Sequence, residues 1–396
     1  MAASTADMNR MTSRTADRPW PGSRRVANLT SSPIRDILAV IDRPGMISFA
    51  GGLPAPETFP RVDVSAMPAS WLQYGPSEGE PVLRERIAGE LAALGLRCDP
   101  SQVLVLSGSQ QGIDLVAKLF IDEGTPVAVE SPTYLAALQV FRFFGARPVE
   151  LDANEPARAL AGGGLRPALA YVIPTFQNPT GRCYSAAQRD ALAAACDAGG
   201  VTLFEDDPYR DLVYEPCDRR PVSARLERAS WVYQGSFSKS FAPGLRLGFL
   251  AASVDLMPYL VRAKQGADLH SNRSSQWLAL QQLNDPGRVQ RLHELAATYR
   301  AKRDRFEAAL RQHFSGLAQW ASPPGGLFFW LRLARPLDTG ALLAAAIARN
   351  VAFMPGEPFF ADAASSHPAL RLNFSHASAE DAQRGLATLA ELVRAG

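Results

Sequence analysis

"QVLVLSGSQQGIDLVAKLFIDEGTPVAVESPTYLAALQVFRFFG", residues 102–145, runs twice through one pattern. Each round is a short apolar run, a small or polar turn, and then a longer segment with apolar residues three and four apart. "QVLVLSG" (102–108) predicts a strand. "SQQGIDLVAKLFIDEG" opens at a polar cap and predicts a helix with Ile113, Val116, Leu119 and Phe120 on one face. "PVAVE" (126–130) predicts a second strand. The helix expected after it takes Ser131 as cap, Pro132 in its first turn and Gly145 as stop. Working outward, "RPVELD", "ALAYVIP", "VTLFEDD", "SWVYQGS" and "RLGFLAA" read as further strands. "SAAQRDALAAACDAGG" between them reads as a helix with Ser185 and Gln188 in a capping box and Gly199 at its end. Nearly unbroken apolar strands alternating with helices predict a mainly parallel α/β sheet covered on both faces.

After about residue 285 the pattern changes. "DPGRVQRLHELAATYRAKRDRFEAALRQHF" predicts one long amphipathic helix. "GGLFFWLRL", "VAFMPG" and "LRLNFS" are short strands, with helices at 339–349 and 379–395, so a smaller α+β unit is expected. With 396 residues and 47% hydrophobic content, the chain is long enough for one large or two modest cores. Lys+Arg of 41 against Asp+Glu of 39 gives a net charge of +2, which carries no nucleic-acid footprint. No apolar run reaches membrane-spanning length, and the polar start lacks a signal-peptide core. Cys98, Cys183, Cys196 and Cys217 show no CxxC spacing, so free thiols, no metal site and a cytoplasmic location are expected.

Ligands of open α/β sheets bind beyond the carboxyl ends of the strands. There the sequence puts "SGSQQG" with Ser109 and Gln110, "PTFQNPTG" with Asn178, Asp206 and Tyr209 three apart, and "GSFSKSFAPGLRLGF" (235–249) with Lys239. Each has an ordinary reading as a cap, a turn or a solvated charge; the signal is their convergence on one edge. Together they fit pyridoxal phosphate. The Lys239 amine would form a Schiff base with its aldehyde. Ser236, Ser238, Arg246 and the helix start at Ser109 and Gln110 would hold the phosphate. Asp206 would keep the ring nitrogen protonated, Asn178 and Tyr209 would hydrogen-bond the ring oxygen, and Tyr134 would stack on the ring.

The chain resembles the fold-type I, class I/II aminotransferases from about residue 30 to its C-terminus. Its pattern is similar to the α-aminoadipate and kynurenine aminotransferases and to the ligand domain of MocR-type regulators. The stretches that carry the likeness are "ISFAGGLPAPETFP", "LQYGPSEGEPVLRERIA", "QNPTG", "EDDPYRDLVYE", "GSFSKSFAPGLRLGF", "PPGGLFFWL" and "LRLNFS". The resemblance implies a large domain at 66–284 with a mostly parallel seven-stranded sheet that binds the cofactor. It implies a small C-terminal domain at 285–396, joined by an N-terminal arm and helix at 26–65, behind a disordered tail at 1–25. It also implies that Arg371 binds the substrate α-carboxylate and Gly52 lines the substrate site. Tyr74 would reach the phosphate in a neighbouring subunit of a homodimer, and Arg35 would meet a side-chain carboxylate. The implied activity is transamination of an L-amino acid, with 2-oxoglutarate as acceptor. Another pyridoxal-phosphate reaction on the same residues stays open at this point. A non-enzymatic regulator is disfavoured, because no helix-turn-helix pattern precedes the matching region.

Overall fold

The computed structural model describes residues 22–29, 43–161 and 166–396. Arg35 and positions 1–21 of the expected tail lie outside the described residues. In chain order the strands are β1 (Ile47–Ser48), β2 (Val103–Leu106), β3 (Pro126–Val129), β4 (Arg147–Glu150), β5 (Leu169–Val172), β6 (Thr202–Asp207), β7 (Trp231–Ser236), β8 (Gly248–Ala252), β9 (Ala318–Gln319), β10 (Phe328–Leu333), β11 (Val351–Ala352), β12 (Met354–Pro355) and β13 (Ala369–Asn373). The helices are α1 (Pro81–Ala93), α2 (Ser109–Phe120), α3 (Leu135–Phe143), α4 (Pro156–Leu160), α5 (Ala186–Gly199), α6 (Met257–Asp268), α7 (Arg273–Asn284), α8 (Arg288–Phe314), α9 (Thr339–Ala348) and α10 (Ala379–Ala395).

Seven strands form the main sheet in the order β2-β8-β7-β6-β5-β3-β4. β3 to β7 run parallel, and only β8 is antiparallel to its neighbours β2 and β7. Alternate side chains of a strand leave opposite faces, so each strand feeds two cores. Leu104 and Leu106 join Ile113 of α2 and Leu138 of α3 on one face. Val103 and Val105 join Leu83 of α1 and Trp277 of α7 on the other. Burial on both faces is why these strands read as continuous apolar runs rather than alternating ones.

A second, antiparallel sheet has the order β12-β13-β10-β9, and β1 pairs in parallel with β11. Phe306 of α8 stacks on Phe329 of β10 with ring centres 5.7 Å apart and meets Phe49 edge-on at 5.2 Å. α8 and α10 thus cover this sheet and β1. Among the described residues no helix is long and apolar enough to cross a membrane.

Several local expectations need correction. Ser131 does not cap α3, which starts at Leu135 with Tyr134 at the cap position. Pro132 pushes the residue before it towards extended backbone, and the N–H of Thr133 is spent on the carbonyl of Phe359 at 2.9 Å. α2 has no polar cap either; its cap residue is Gly108, at φ +83°, and Ser109 is its first helical residue. α5 has the expected capping box, but Gly199 is its last helical residue and Gly200, at φ +57°, makes the turn. "VAFMPG" splits into β11 and β12, which serve different sheets. Arg246 lies outside β8 in a left-handed turn, φ +48°.

Under the main sheet, Arg189 of α5 and Glu205 of β6 are fully buried, with 3.8 Å between nitrogen and oxygen. Glu205 accepts from the N–H groups of Val222 and Ser223 and from the Ser223 hydroxyl. Arg189 donates to the Pro174 carbonyl and the Thr175 hydroxyl, each at 2.9 Å. Arg189→Leu would strand the Glu205 charge. The expected loss is about 3–5 kcal/mol of stability, read as a lowered denaturation midpoint; a change below about 1 kcal/mol contradicts this account of the pair.

Candidate active site

A cavity of about 360 Å³ opens at the C-terminal ends of β2, β5, β6 and β7. Gly52, Ser109, Gln110, Tyr134, Asn178, Asp206, Tyr209, Ser236, Ser238, Lys239, Arg246 and Arg371 all line it. Tyr74 does not. It is 77% exposed, outside the cavity, edge-on to His270 at 5.7 Å. Its turn is held by Arg273, which donates to the carbonyls of Ser70 and Gln73 and pairs with Glu80 at 2.6 Å.

One end of the cavity is built for an anion. No side chain caps the first turn of α2, so its leading N–H groups keep their donor capacity. Two glycines let the backbone close in. A Cβ on Gly108 would come 2.6 Å from Arg246 Nη2, and one on Gly248 would come 2.8 Å from Ser109 N. Among the described residues no carboxylate pairs with Arg246, whose guanidinium donates to the Pro243 carbonyl at 3.4 Å. Ser236 Oγ accepts from the Ser238 N–H at 3.1 Å, which folds the turn that leads to Lys239.

Asp206, in the same lining, is buried. Its Oδ2 accepts from Tyr171 Oη at 2.8 Å and its Oδ1 from Gln234 Nε2 at 2.9 Å. Burial pushes the carboxyl up to about 6, against the pull of those two donors. Sequence reading missed both supports. The signal was a lone polar Gln234 in the apolar run "WVYQGS", directly across the β6–β7 ladder from Asp206.

Lys239 Nζ donates to the Gly52 carbonyl at 2.7 Å and lies 6.0 Å from the centre of the Tyr209 ring. Burial, then the charges of Arg371 and Arg246, lowers its pKa to about 8. Burial holds the Tyr209 hydroxyl above the usual phenol range, against a lowering pull from neighbouring Asn178. Tyr134 Oη donates to Gln110 Oε1 at 3.4 Å, and burial raises its pKa to about 12.

Arg371 comes from β13, where it is paired with Trp330 of β10 and Met354 of β12. It is buried, with the Phe328 and Phe359 rings 4.4 and 5.1 Å from its guanidinium carbon. Its Nη1 donates to Asn178 Oδ1 at 3.0 Å and its Nη2 to the Ala50 carbonyl. Among the described residues Nε has no partner and no carboxylate pairs with the group, and burial pulls it down to about 10. A buried cation with an orphaned N–H is a receptor for an anion. An uncapped helix end with a free arginine, an amine of lowered pKa, and a buried carboxylate in the same lining match the phosphate, aldehyde and ring nitrogen of pyridoxal phosphate.

The profile of the aminotransferase class I and II family matches residues 53–389. A 2-aminoadipate transaminase of Thermus thermophilus is 37% identical over 383 residues, covering 92% of this chain and 94% of that protein. The kynurenine aminotransferase of Pyrococcus horikoshii, solved with PMP and kynurenine, superposes with a TM-score of 0.89 at 30% identity, covering 98% of this chain and 99% of that one. An α-aminoadipate aminotransferase of Thermus thermophilus, solved with N-(5'-phosphopyridoxyl)-L-leucine, gives 0.84 at 35% identity over 94% and 97% of the two chains.

Only the neutral amine attacks an aldehyde. The rate at which cofactor-free protein captures pyridoxal phosphate is therefore expected to rise with pH and level off above about 8, the value to which Lys239 is lowered. Stopped-flow absorbance across pH 6–10 (roughly two units either side) reads it. A rate still climbing steeply past about 10, the range of an ordinary lysine, contradicts the lowered value.

Proposed function

The chain belongs to the aminotransferase class I and II family, and we propose that its pyridoxal-phosphate-dependent transamination runs through Lys239, with 2-oxoglutarate as amino acceptor. The enzyme exchanges an amino group between an amino acid and a 2-oxo acid. When bound, the cofactor supplies an electron sink for the substrate α-carbon.

Lys239 Nζ would hold the cofactor covalently in the resting enzyme. As a free amine it would take the proton from the substrate Cα and give it back on the cofactor side. An amine lowered to about 8 is neutral often enough to act as base and still acidic enough to give the proton back. The Gly52 carbonyl, at 2.7 Å, accepts from the ammonium in between. Arg371 binds the α-carboxylate through its unpartnered Nε, and so fixes which Cα bond faces the sink. Asp206 would hold the proton on the ring nitrogen, Asn178 and Tyr209 would hydrogen-bond the ring oxygen, and Tyr134 would cover the ring. Ser109, Gln110, Ser236, Ser238 and Arg246 would hold the phosphate.

With Lys239, Arg246 and Arg371 assigned, no cation is left among the described lining residues. Leu53, Ile173, Pro208 and Met354 line the remaining space. That supports an amino donor with an uncharged, apolar or aromatic side chain. Arg35 is the group proposed for the distal carboxylate of 2-oxoglutarate. The relatives' own names, which include aminoadipate and kynurenine, are compatible with both kinds of ligand. A homodimer is part of the reading, with Tyr74 serving the partner's phosphate. Exposed Val62, Val64, Leu72 and Tyr74 on one stretch support it.

The observation that carries the reading is the buried, carboxylate-free Arg371. Incubation with an apolar L-amino acid alone is expected to convert the bound cofactor to its amine form, and 2-oxoglutarate to restore it. Arg371→Ala is expected to lower kcat/KM in both halves by about 100-fold or more, the worth of one to two charge-assisted hydrogen bonds. A loss below about threefold in both halves, or an amino acid that leaves the cofactor spectrum unchanged, contradicts it.

A further inference from the structure

Cys183 and Cys217 lie away from the cavity, both partly buried against the core that α8 and α10 cover. Cys183 follows the turn in which the Gln177 N–H donates to the Arg182 carbonyl, the turn that carries Asn178. Cys217 sits in the connection between β6 and β7. The Cys183 sulfur is 3.6 Å from the carbonyl oxygen of Asp218, the residue bonded to Cys217. The Cys217 thiol neighbours that sulfur and is the group that acts most strongly on its pKa. Arg189 Nη2 donates to the Cys183 sulfur at 3.7 Å.

Cys183 Sγ donates towards the carbonyls of Asp218 and Tyr184, at 3.6 and 3.8 Å. When that proton leaves, the Arg189 guanidinium is the charge beside the thiolate, and Cys217 is the neighbouring thiol that can resolve it. The Cys217 thiol, then the Arg189 charge, pulls Cys183 down, while Cys217 is in turn pushed up by Cys183. The Arg189 charge is shared with Glu205 at 3.8 Å, and Arg219 faces Cys217. The other two cysteines have no such setting. Burial raises Cys98 to about 11 and Cys196 to about 12, which leaves them as protonated, unreactive thiols.

We propose that Cys183 and Cys217 form a peroxide-oxidised dithiol pair that closes to a reversible disulfide. The Cys183 thiolate attacks one oxygen of hydrogen peroxide; the O–O bond breaks, hydroxide leaves, and Cys183 becomes a sulfenic acid. The Cys217 sulfur then attacks the Cys183 sulfur, and the hydroxyl leaves as water with the Cys217 proton. Two thiols are oxidised and one peroxide is reduced to two waters. The new bond ties the segment behind Asn178 to the 215–218 loop. A dithiol reductant reverses it. The pair is independent of the cofactor and of the transamination reading.

The test treats holoenzyme with low hydrogen peroxide and follows it by intact mass and peptide mapping. The expected product has lost two hydrogen atoms, carries a single crosslink between the peptides of Cys183 and Cys217, and returns to the starting mass with dithiothreitol. In Cys217→Ser the crosslink is lost and dimedone labels Cys183. In Cys183→Ser neither product forms, while the near-complete retention of transaminase activity shows that the fold is intact. Oxidation that starts at Cys98 or Cys196, a crosslink of another pairing, or equal dimedone labelling of Cys217 in Cys183→Ser overturns the proposal.

Discussion

A carboxylate at the end of a fully buried strand needs the protein itself as its solvent, and much of the main sheet is arranged around that need. Asp206 is that group. β5 and β7 flank β6 and each sends one donor, Tyr171 Oη and Gln234 Nε2. The second constraint follows from the first. Gln234 must lie under α2, and a Cβ at Gly112 would sit 1.9 Å from its Oε1. Only glycine lets α2 settle that close to the sheet. The same settling brings the first turn of α2 to Gly248 and Arg246, the cradle proposed for the phosphate. The groups proposed for the ring nitrogen and for the phosphate thus rest on one packing solution.

The charges of the cavity are unbalanced in the protein alone. Lys239, Arg246 and Arg371 share the cavity lining with one buried carboxylate; burial, then the charges of Arg371 and Arg246, lowers Lys239, and burial alone lowers Arg371. Asp206, short of a cation of its own, is raised. A ligand with a phosphate, a cationic ring nitrogen and a carboxylate-bearing substrate corrects each imbalance in place. In the proposed reading the site is complementary to the charges of the reacting assembly, the form of preorganisation that favours proton transfer at Cα.

Much of this was legible in the sequence, and what escaped has a physical reason. Strand ends announce themselves where an apolar run meets polar residues, so Asp206, Tyr209, Asn178 and Lys239 could be placed at one edge before any coordinates. Arg371 could not be assigned that way, since its approach to the cavity depends on the pairing of β13 with β10 and β12; only the resemblance implied its role. Tyr171, Gln234 and Gly112 sit inside regular elements, where a tyrosine, a glutamine or a glycine reads as packing. Ser131 misled because a serine before a proline looks like a cap, while the chain spends that turn on contact with Phe359. Tyr74 lies outside the cavity of its own chain, and a single chain offers it no site partner.

The central claim is the covalent link at residue 239, and borohydride trapping tests it most directly. Purified holoenzyme is expected to absorb in the yellow imine range, to lose that absorbance on reduction, and to yield one phosphopyridoxyl-tagged peptide, with the tag on Lys239. A tag on any other lysine, or yellow absorbance that survives reduction with no tagged peptide, would contradict the account.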